Sequence, residues 1–304
     1  MTTNVANRPA ARAGSARGRS PRAVSRDSEP RLKRTLYLLG GGGAALVFLV
    51  PLAFALARSL QSNAVIVERP TLDTFFDWST ENFSALLDQG QLARPILNSL
   101  LVSLATAALT ALLATLAGYG FARFAFRGRG GLFSVLVLTM MVPFQAILTP
   151  LYLQMNTMGL TDSLFGLVLF YSTVNLPFGV FVMRNAFASV PQELEDSGYM
   201  DGAGTLRMLL SVLRPLVTPG AATVALYAFL VSWTEFLGAL TFLTDQDLYT
   251  LPVTLANLQQ GTYGQVDFGL LAAGAVIAMV PCVVLYVALQ RFYVAGLASG
   301  AVKG

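Results

Sequence analysis

The residue most exposed to chemical demand is Glu235. It lies in Trp233-Thr234-Glu235-Phe236 inside an apolar run, where an unpaired charge at bilayer depth costs roughly 2.5–3.5 kcal/mol. Two readings follow from that cost: a neighbouring helix or partner subunit neutralises Glu235, or it contacts a solute directly. Other apolar runs hold Asn98, Gln145, Tyr171, Asn175 and Trp233. These neutral groups suit hydrogen-bonding to a hydroxylated solute, or gluing one helix to the next. With Glu235 they make up the candidate translocation path. A lone carboxylate is a thin basis for a proton relay. Covalent and metal chemistry are limited by what is missing. The 304 residues include no His and one Cys, Cys282, itself in an apolar run. His-based triads, metal sites built on His or Cys and disulfides within the chain are thereby excluded, and no metal or catalytic residue is expected. Of the lysines, Lys33 is followed by Arg34 and Lys303 by Gly304, so neither fits a phosphate-binding G-x-x-x-x-G-K-[ST] loop. Any ATP that is used must be bound by another chain.

The elements that position these residues follow from composition. Hydrophobic residues make up 55% of the chain and charged residues 12%, which leaves several apolar runs long enough to cross a bilayer. A bilayer leaves no lipid-exposed backbone group unpaired, so each crossing is expected to be helical, and the alternating short strands of a membrane barrel are not seen. The expected fold is all-α and polytopic, with six transmembrane helices at 35–57, 96–121, 132–155, 164–183, 220–243 and 269–289. Arg31, Lys33, Arg34, Arg123, Arg127, Arg129, Arg184, Arg207, Arg214, Arg291 and Lys303 fall in alternate connections, which are therefore predicted to be cytoplasmic. The other connections carry Glu68, Asp73, Asp77, Glu81, Asp88, Asp245, Asp247 and Asp267, with Arg58, Arg69 and Arg94 as exceptions. Both termini are expected inside the cell. Residues 1–30, rich in Ala, Arg, Ser and Pro, read as a disordered basic cytoplasmic tail attracted to anionic lipid. Residues 31–304 read as one membrane domain. The first apolar run is too long for a signal sequence and reads as a retained anchor.

A polar segment at 190–219 interrupts this pattern and is longer than an ordinary connection between helices. Ser189-Val190-Pro191-Gln192 has capping-box character, and Glu193, Glu195 and Asp196 follow where a helix dipole favours negative charge. A short helix is predicted to begin there, Gly198, Gly202 and Gly204 to break it, and 205–213 to form a second short helix ending before Pro215. Three acidic residues argue against adhesion to an anionic leaflet and for docking into a protein cleft.

Asp196-Ser197-Gly198-Tyr199-Met200-Asp201-Gly202-Ala203, with Pro215 and Pro219 behind it, resembles the EAA loop of ATP-binding-cassette importer permeases. That family prefers Glu-Ala-Ala, two residues, Asp-Gly-Ala, then a proline about a dozen residues on. Here Asp201, Gly202, Ala203 and Pro215 match, while Asp196, Ser197 and Gly198 replace Glu-Ala-Ala. The Asp196 carboxylate reaches one methylene less far, and glycine at 198 is expected to loosen the helix. Asn98-Ser99-Leu100, Ala122-Arg123-Phe124, Trp233-Thr234-Glu235-Phe236, Thr250-Leu251-Pro252, Gln290-Arg291-Phe292 and Gly300-Ala301-Val302-Lys303-Gly304 look like the carbohydrate branch, as second permease of a maltose-type pair. That branch usually has Asn where Thr234 stands.

The resemblance implies a type I importer permease fold with a coupling helix at about 189–214, seated in a cleft of a cytoplasmic ATPase. It implies coupling roles for Glu195, Asp196, Ser197, Asp201, Gly202, Ala203, Arg207 and Pro215, and a C-terminal ATPase contact at Gly300, Val302 and Lys303. The implied assembly sits in a bacterial-type inner membrane. It comprises a second, different permease subunit, two copies of the ATPase carrying ATP and Mg, and an external solute-binding protein, with no nucleic acid. This chain would be a non-catalytic transport subunit holding no cofactor, most at home with a sugar or oligosaccharide. A permease for a glycerol phosphate, polyol or peptide is the alternative, ahead of a secondary transporter, whose inverted repeats are not seen, and of a membrane enzyme.

Overall fold

The computed structural model describes residues 31–61, 78–88, 92–260 and 267–301. The expected tail at 1–30, the acidic residues Glu68, Asp73 and Asp77, and the terminal Val302 and Lys303 lie outside the described residues. Helix α1 (Arg31–Ser59) carries the first apolar run, and Leu36, Leu39, Val47 and Phe48 on it are exposed. The chain divides within this helix into two compact units, Met1–Pro51 and Leu52–Gly304. The second unit opens with the end of α1 and α2 (Glu81–Asp88). There the Asn82 amide donates to the carbonyls of Ser59 at 3.0 Å and Gln61 at 2.7 Å.

The body of the second unit is built on α3 (Ala93–Arg123), which packs most extensively against α6 (Leu164–Ala188). In lipid the driving force is close packing, because hydrocarbon already solvates leucine. Helix α3 is patterned accordingly. Leu97, Leu101, Leu104, Leu112 and Leu116 face outward, while Ser99, Ser103, Thr106, Thr110, Ala114 and Gly118 form a buried stripe of small residues. At Gly118 a Cβ would lie 2.5 Å from Met183 Cβ and 2.8 Å from the Arg184 nitrogen, so only glycine lets the backbones approach this closely.

Five helices among the described residues are long and apolar enough to cross a membrane, or six if one bent pair counts as a single span. That pair corrects the third predicted span. Instead of one helix at 132–155, α4 (Arg129–Thr139) and α5 (Phe144–Thr157) meet at 99°. Pro143, which lacks an N–H and drives the preceding residue out of helical conformation, sits at the N-cap of α5.

The polar segment also departs from expectation. The fourth span continues to Ala188, so Ser189 ends α6 instead of starting the next helix; its hydroxyl donates to the Ala186 carbonyl at 2.8 Å. Helix α7 covers Glu193–Met200. After a turn, α8 (Thr205–Arg207) widens into a π-helical stretch, Met208–Leu213, and continues as α9 (Arg214–Thr234). The second short helix thus does not stop before Pro215. Pro215 stands in the first turn of α9, directly after the π-helical stretch, where a missing N–H is tolerated, so the helical run passes through it. The fifth span therefore starts earlier than the predicted 220, and it ends at Thr234. Glu235 is extended (ψ 130°), and α10 (Leu237–Phe242) follows. Helices α11 (Leu251–Gln260) and α12 (Phe268–Ala301) complete the unit, with Phe268–Ala288 as the last apolar run.

At the end of the bundle opposite α7, Asp162 braces two connections. It has φ +53°, its N–H donates to the Phe242 carbonyl at 2.7 Å, and its Oδ1 accepts from the Thr244 and Asp245 N–H groups, each at 2.9 Å. Those backbone donors, Asp245 first and Thr244 next, hold the carboxyl below the ordinary aspartate value. A carboxylate depressed in the folded state stabilises above its unfolded pKa of about 4, and that contribution disappears as pH falls through the lower folded value. Amide exchange at Thr244 and Asp245 is therefore expected to be slow and flat with pH above that point, after correction for intrinsic rates, and to accelerate below it. Asp162→Ala should exchange fast throughout, and equal protection in the variant would refute the brace.

Candidate functional site

Three carboxylates crowd the first turn of α7, and helical geometry sends them in different directions. Glu193 and Asp196 are exposed, whereas Glu195 is only 4% exposed. Successive helical residues are about 100° apart, so Glu195 and Asp196 cannot share an environment. Glu195 forms an ion pair with Arg123, the last residue of α3. Arg123 Nη2 also donates to the Val190 carbonyl at 2.9 Å, which ties the same guanidinium to the link between α6 and α7. Removing one partner of a buried pair strands the other charge, at a cost of about 3–5 kcal/mol. Glu195, expected to have a coupling role, has its carboxylate engaged inside the chain.

The rest of α7 explains the Asp-Gly-Ala pattern. The Ala203 N–H donates to the Gly198 carbonyl and the Gly202 N–H to the Tyr199 carbonyl, both at 3.0 Å, the paired bonds of a Schellman helix stop. This stop needs a left-handed residue, and Gly202 supplies it with φ +76°. Gly198 does not break the helix as expected. It lies within α7, and a Cβ there would be 2.3 Å from Met208 Cε. Met208 is fully buried and fills the space that alanine would occupy, so the glycine is packed and not loose. The Ser197 hydroxyl turns back to the Glu193 carbonyl at 2.5 Å. Beneath the segment, Met208, Val190, Phe187, Met183, Tyr119 and Leu213 belong to one buried apolar cluster.

The opposite face of α7 and its turn is open. Leu194, Met200 and Leu206 are exposed beside Asp196, Asp201 and Arg207, with Met200 at 88%. Ala203 is half-buried, and Pro215 is exposed in the first turn of α9. Gly300 falls in the last turn of α12, while its expected companions Val302 and Lys303 are outside the described residues.

The membrane-embedded polar residues are mostly engaged with their own chain. Glu235 Oε2 accepts from the Tyr171 hydroxyl at 2.7 Å, and the carboxylate also accepts the Gly238 N–H at 2.9 Å and the Ala239 N–H at 3.3 Å. It caps α10 where the fifth span breaks. The Trp233 indole donates to the Ala278 carbonyl at 3.0 Å. Asn98 donates to the carbonyls of Asp247 at 2.9 Å and Tyr249 at 3.1 Å, and the neighbouring Ser99 hydroxyl accepts the Leu251 N–H at 2.8 Å. Asn175 donates to the Tyr171 carbonyl at 2.8 Å within α6. Gln145, in the first turn of α5, is exposed. Tyr171, Asn175 and Glu235 form one connected group, while Asn98 and Trp233 are engaged with backbone elsewhere. Sequence reasoning missed the Arg123–Glu195 partnership, the Met208 plug and the Asp162 brace. The first had a faint signal, opposite charges at the same predicted membrane face; the others had none.

If Glu235 acts as a cap, Glu235→Leu is expected to strand the α10 donors and lower stability by about 1–3 kcal/mol. Glu235→Gln, which keeps an acceptor oxygen, should lose less. The check is the thermal midpoint of the detergent-solubilised protein; equal midpoints for both variants would count against capping.

The family described as binding-protein-dependent transport system inner membrane component matches residues 110–298. The trehalose transport system permease protein of Mycobacterium tuberculosis is 31% identical over 259 residues, covering 84% of this chain and 93% of that protein. The arabinooligosaccharides transport system permease protein of Bacillus subtilis is 30% identical over 278 residues, covering 90% and 96%. A crystal structure of a bacterial ABC transporter that imports the acidic polysaccharide alginate contains a chain matching with a TM-score of 0.75 at 21% identity, over 86% of this chain and 97% of that one. This chain therefore belongs to the binding-protein-dependent transport system inner membrane component family, as a multi-pass permease of the inner membrane.

Proposed function

We propose that this chain is one of two permease subunits of an ATP-driven importer of a sugar or oligosaccharide. A separate ATPase docks on α7 and drives switching between inward- and outward-facing states. The observation that carries the reading is the two-faced α7. Its inner face is fixed by Glu195 and Gly198, while Leu194, Asp196, Met200 and Asp201 stand free at the end of the bundle that also carries Arg123, Arg127, Arg129, Arg184, Arg207 and Arg214. That basic clustering supports a cytoplasmic position for this end and for both termini. An apolar patch ringed by carboxylates suits a cleft on a protein better than an anionic lipid surface. The carbohydrate assignment draws on relatives that carry trehalose and arabinooligosaccharides in their names.

In this reading ATP and Mg are held by two copies of the ATPase, an external solute-binding protein delivers substrate, and a second, different permease completes the path. Asp196, Ser197, Asp201, Gly202, Ala203, Arg207 and Pro215 build the dock, and Gly300, Val302 and Lys303 reach the ATPase from the C-terminus. Asn98, Gln145, Tyr171, Asn175, Trp233 and Glu235 hold the path in shape, and Gln145 is the one exposed toward a solute or the second permease.

Gly202→Trp tests the dock. A Cβ at 202 meets nothing within 4 Å, so the variant keeps the bundle's packing while straining the positive-φ turn. Normal membrane insertion is expected, with loss of ATPase co-purification or of transport; retention of both would refute docking. The solute class is tested by screening saccharides for stimulation of ATPase activity in the complex reconstituted with its binding protein. At least one saccharide is expected to stimulate, and silence across mono- and oligosaccharides would sink the carbohydrate reading.

A further inference from the structure

Helix α7 has covalent links to two spans: the fourth through 189–192, and the fifth through the unbroken helical run Thr205–Thr234. The second span has none, since Arg123 and Glu195 are far apart in the chain. The two are nevertheless joined by a buried ion pair, with side-chain exposures of 13% for Arg123 and 5% for Glu195. Burial matters here, because a pair withdrawn from water is little screened and holds its geometry under load. The guanidinium fork makes the joint directional: Nε meets Glu195 while Nη2 holds the Val190 carbonyl at 2.9 Å. Glu195 is closed to any separate chain, while Asp196 beside it is open.

We propose that the Arg123–Glu195 pair is a strut that makes the second span follow α7 when the docked ATPase moves it. Helix α7 then drives two spans by different means, the fifth through continuous backbone and the second through charge. Both residues are positioning residues in this scheme, which rests on the coupling reading above. The ion pair adds little net stability of its own, and its contribution is to fix which elements move together.

The test needs no knowledge of the solute. In the assembled complex with Cys282→Ala, spin labels are placed in pairs at Leu116→Cys with Val284→Cys, and at Leu216→Cys with Val284→Cys; all three leucine and valine positions are exposed. Each distance is read without nucleotide and with ATP plus vanadate. In the parent complex both distances are expected to shift. In Glu195→Gln the Leu116 shift should be abolished while the Leu216 shift persists, and the swapped double variant R123E/E195R should restore part of the Leu116 shift, since it rebuilds the ion pair but not the bond to the Val190 carbonyl. Arg123→Lys, which keeps the charge but not the fork, should give a reduced Leu116 shift and covers the case of poor insertion by Glu195→Gln. A Leu116 shift that survives Glu195→Gln overturns the strut. So does loss of both shifts, which would make the pair a mere support for the dock, and so does a swap no better than the single variant. A parent complex in which neither distance moves refutes the coupling reading itself.

Discussion

The structure depends on one constraint: hydrocarbon offers no hydrogen-bond partner, so every irregularity in a membrane helix must be satisfied by the protein. The breaks in this chain are consequently the places where polar side chains gather. Where the fifth span stops at Thr234, Glu235 supplies acceptors for the first donors of α10 and is itself held by Tyr171. Asn98 and Ser99 satisfy backbone groups of the connection that leads into α11. Before Pro215, the helix widens into π turns and carries on. Polar residues that composition alone would assign to a solute are largely committed to repairing backbone.

The same economy governs the end that carries α7. Three elements that are remote in sequence, the end of α3, the end of α6 and the start of the fifth span, meet over an apolar cluster containing Phe187, Val190 and Met208. Helix α7 rests on this base by one buried carboxylate and one glycine, and leaves its other side bare. A short helix held on one face and free on the other can transmit force, because a partner pressing on the free face moves whatever the fixed face is joined to. At the opposite end, Asp162 binds two connections with its own backbone and carboxylate.

The departures from the family's Glu-Ala-Ala pattern acquire a local meaning. Glycine at 198 removes a methyl, and Met208 fills the space from below. Serine at 197 satisfies its hydroxyl on the preceding helical turn. Aspartate at 196 stays exposed, so its shorter side chain leaves the packing of this fold unchanged.

Much was legible in the sequence itself. The all-α membrane fold follows from hydropathy, because a bilayer admits few backbone solutions. The short helix bearing Glu193, Glu195 and Asp196 follows from acidic residues favouring a helix N-terminus, though not from the expected cap at Ser189, and the stop at Gly202 from glycine's left-handed freedom; both act between residues within a turn of one another. Tertiary structure decided what acts across distance: the bend between α4 and α5, the passage of a helix through Pro215, the filling of Gly198 by Met208, and above all which of two adjacent carboxylates turns inward. Local rules give Glu195 and Asp196 the same propensity. Only the arrival of Arg123 from another span, in a place closed to water, distinguishes them, and such a meeting is fixed by packing and not by neighbours in the chain.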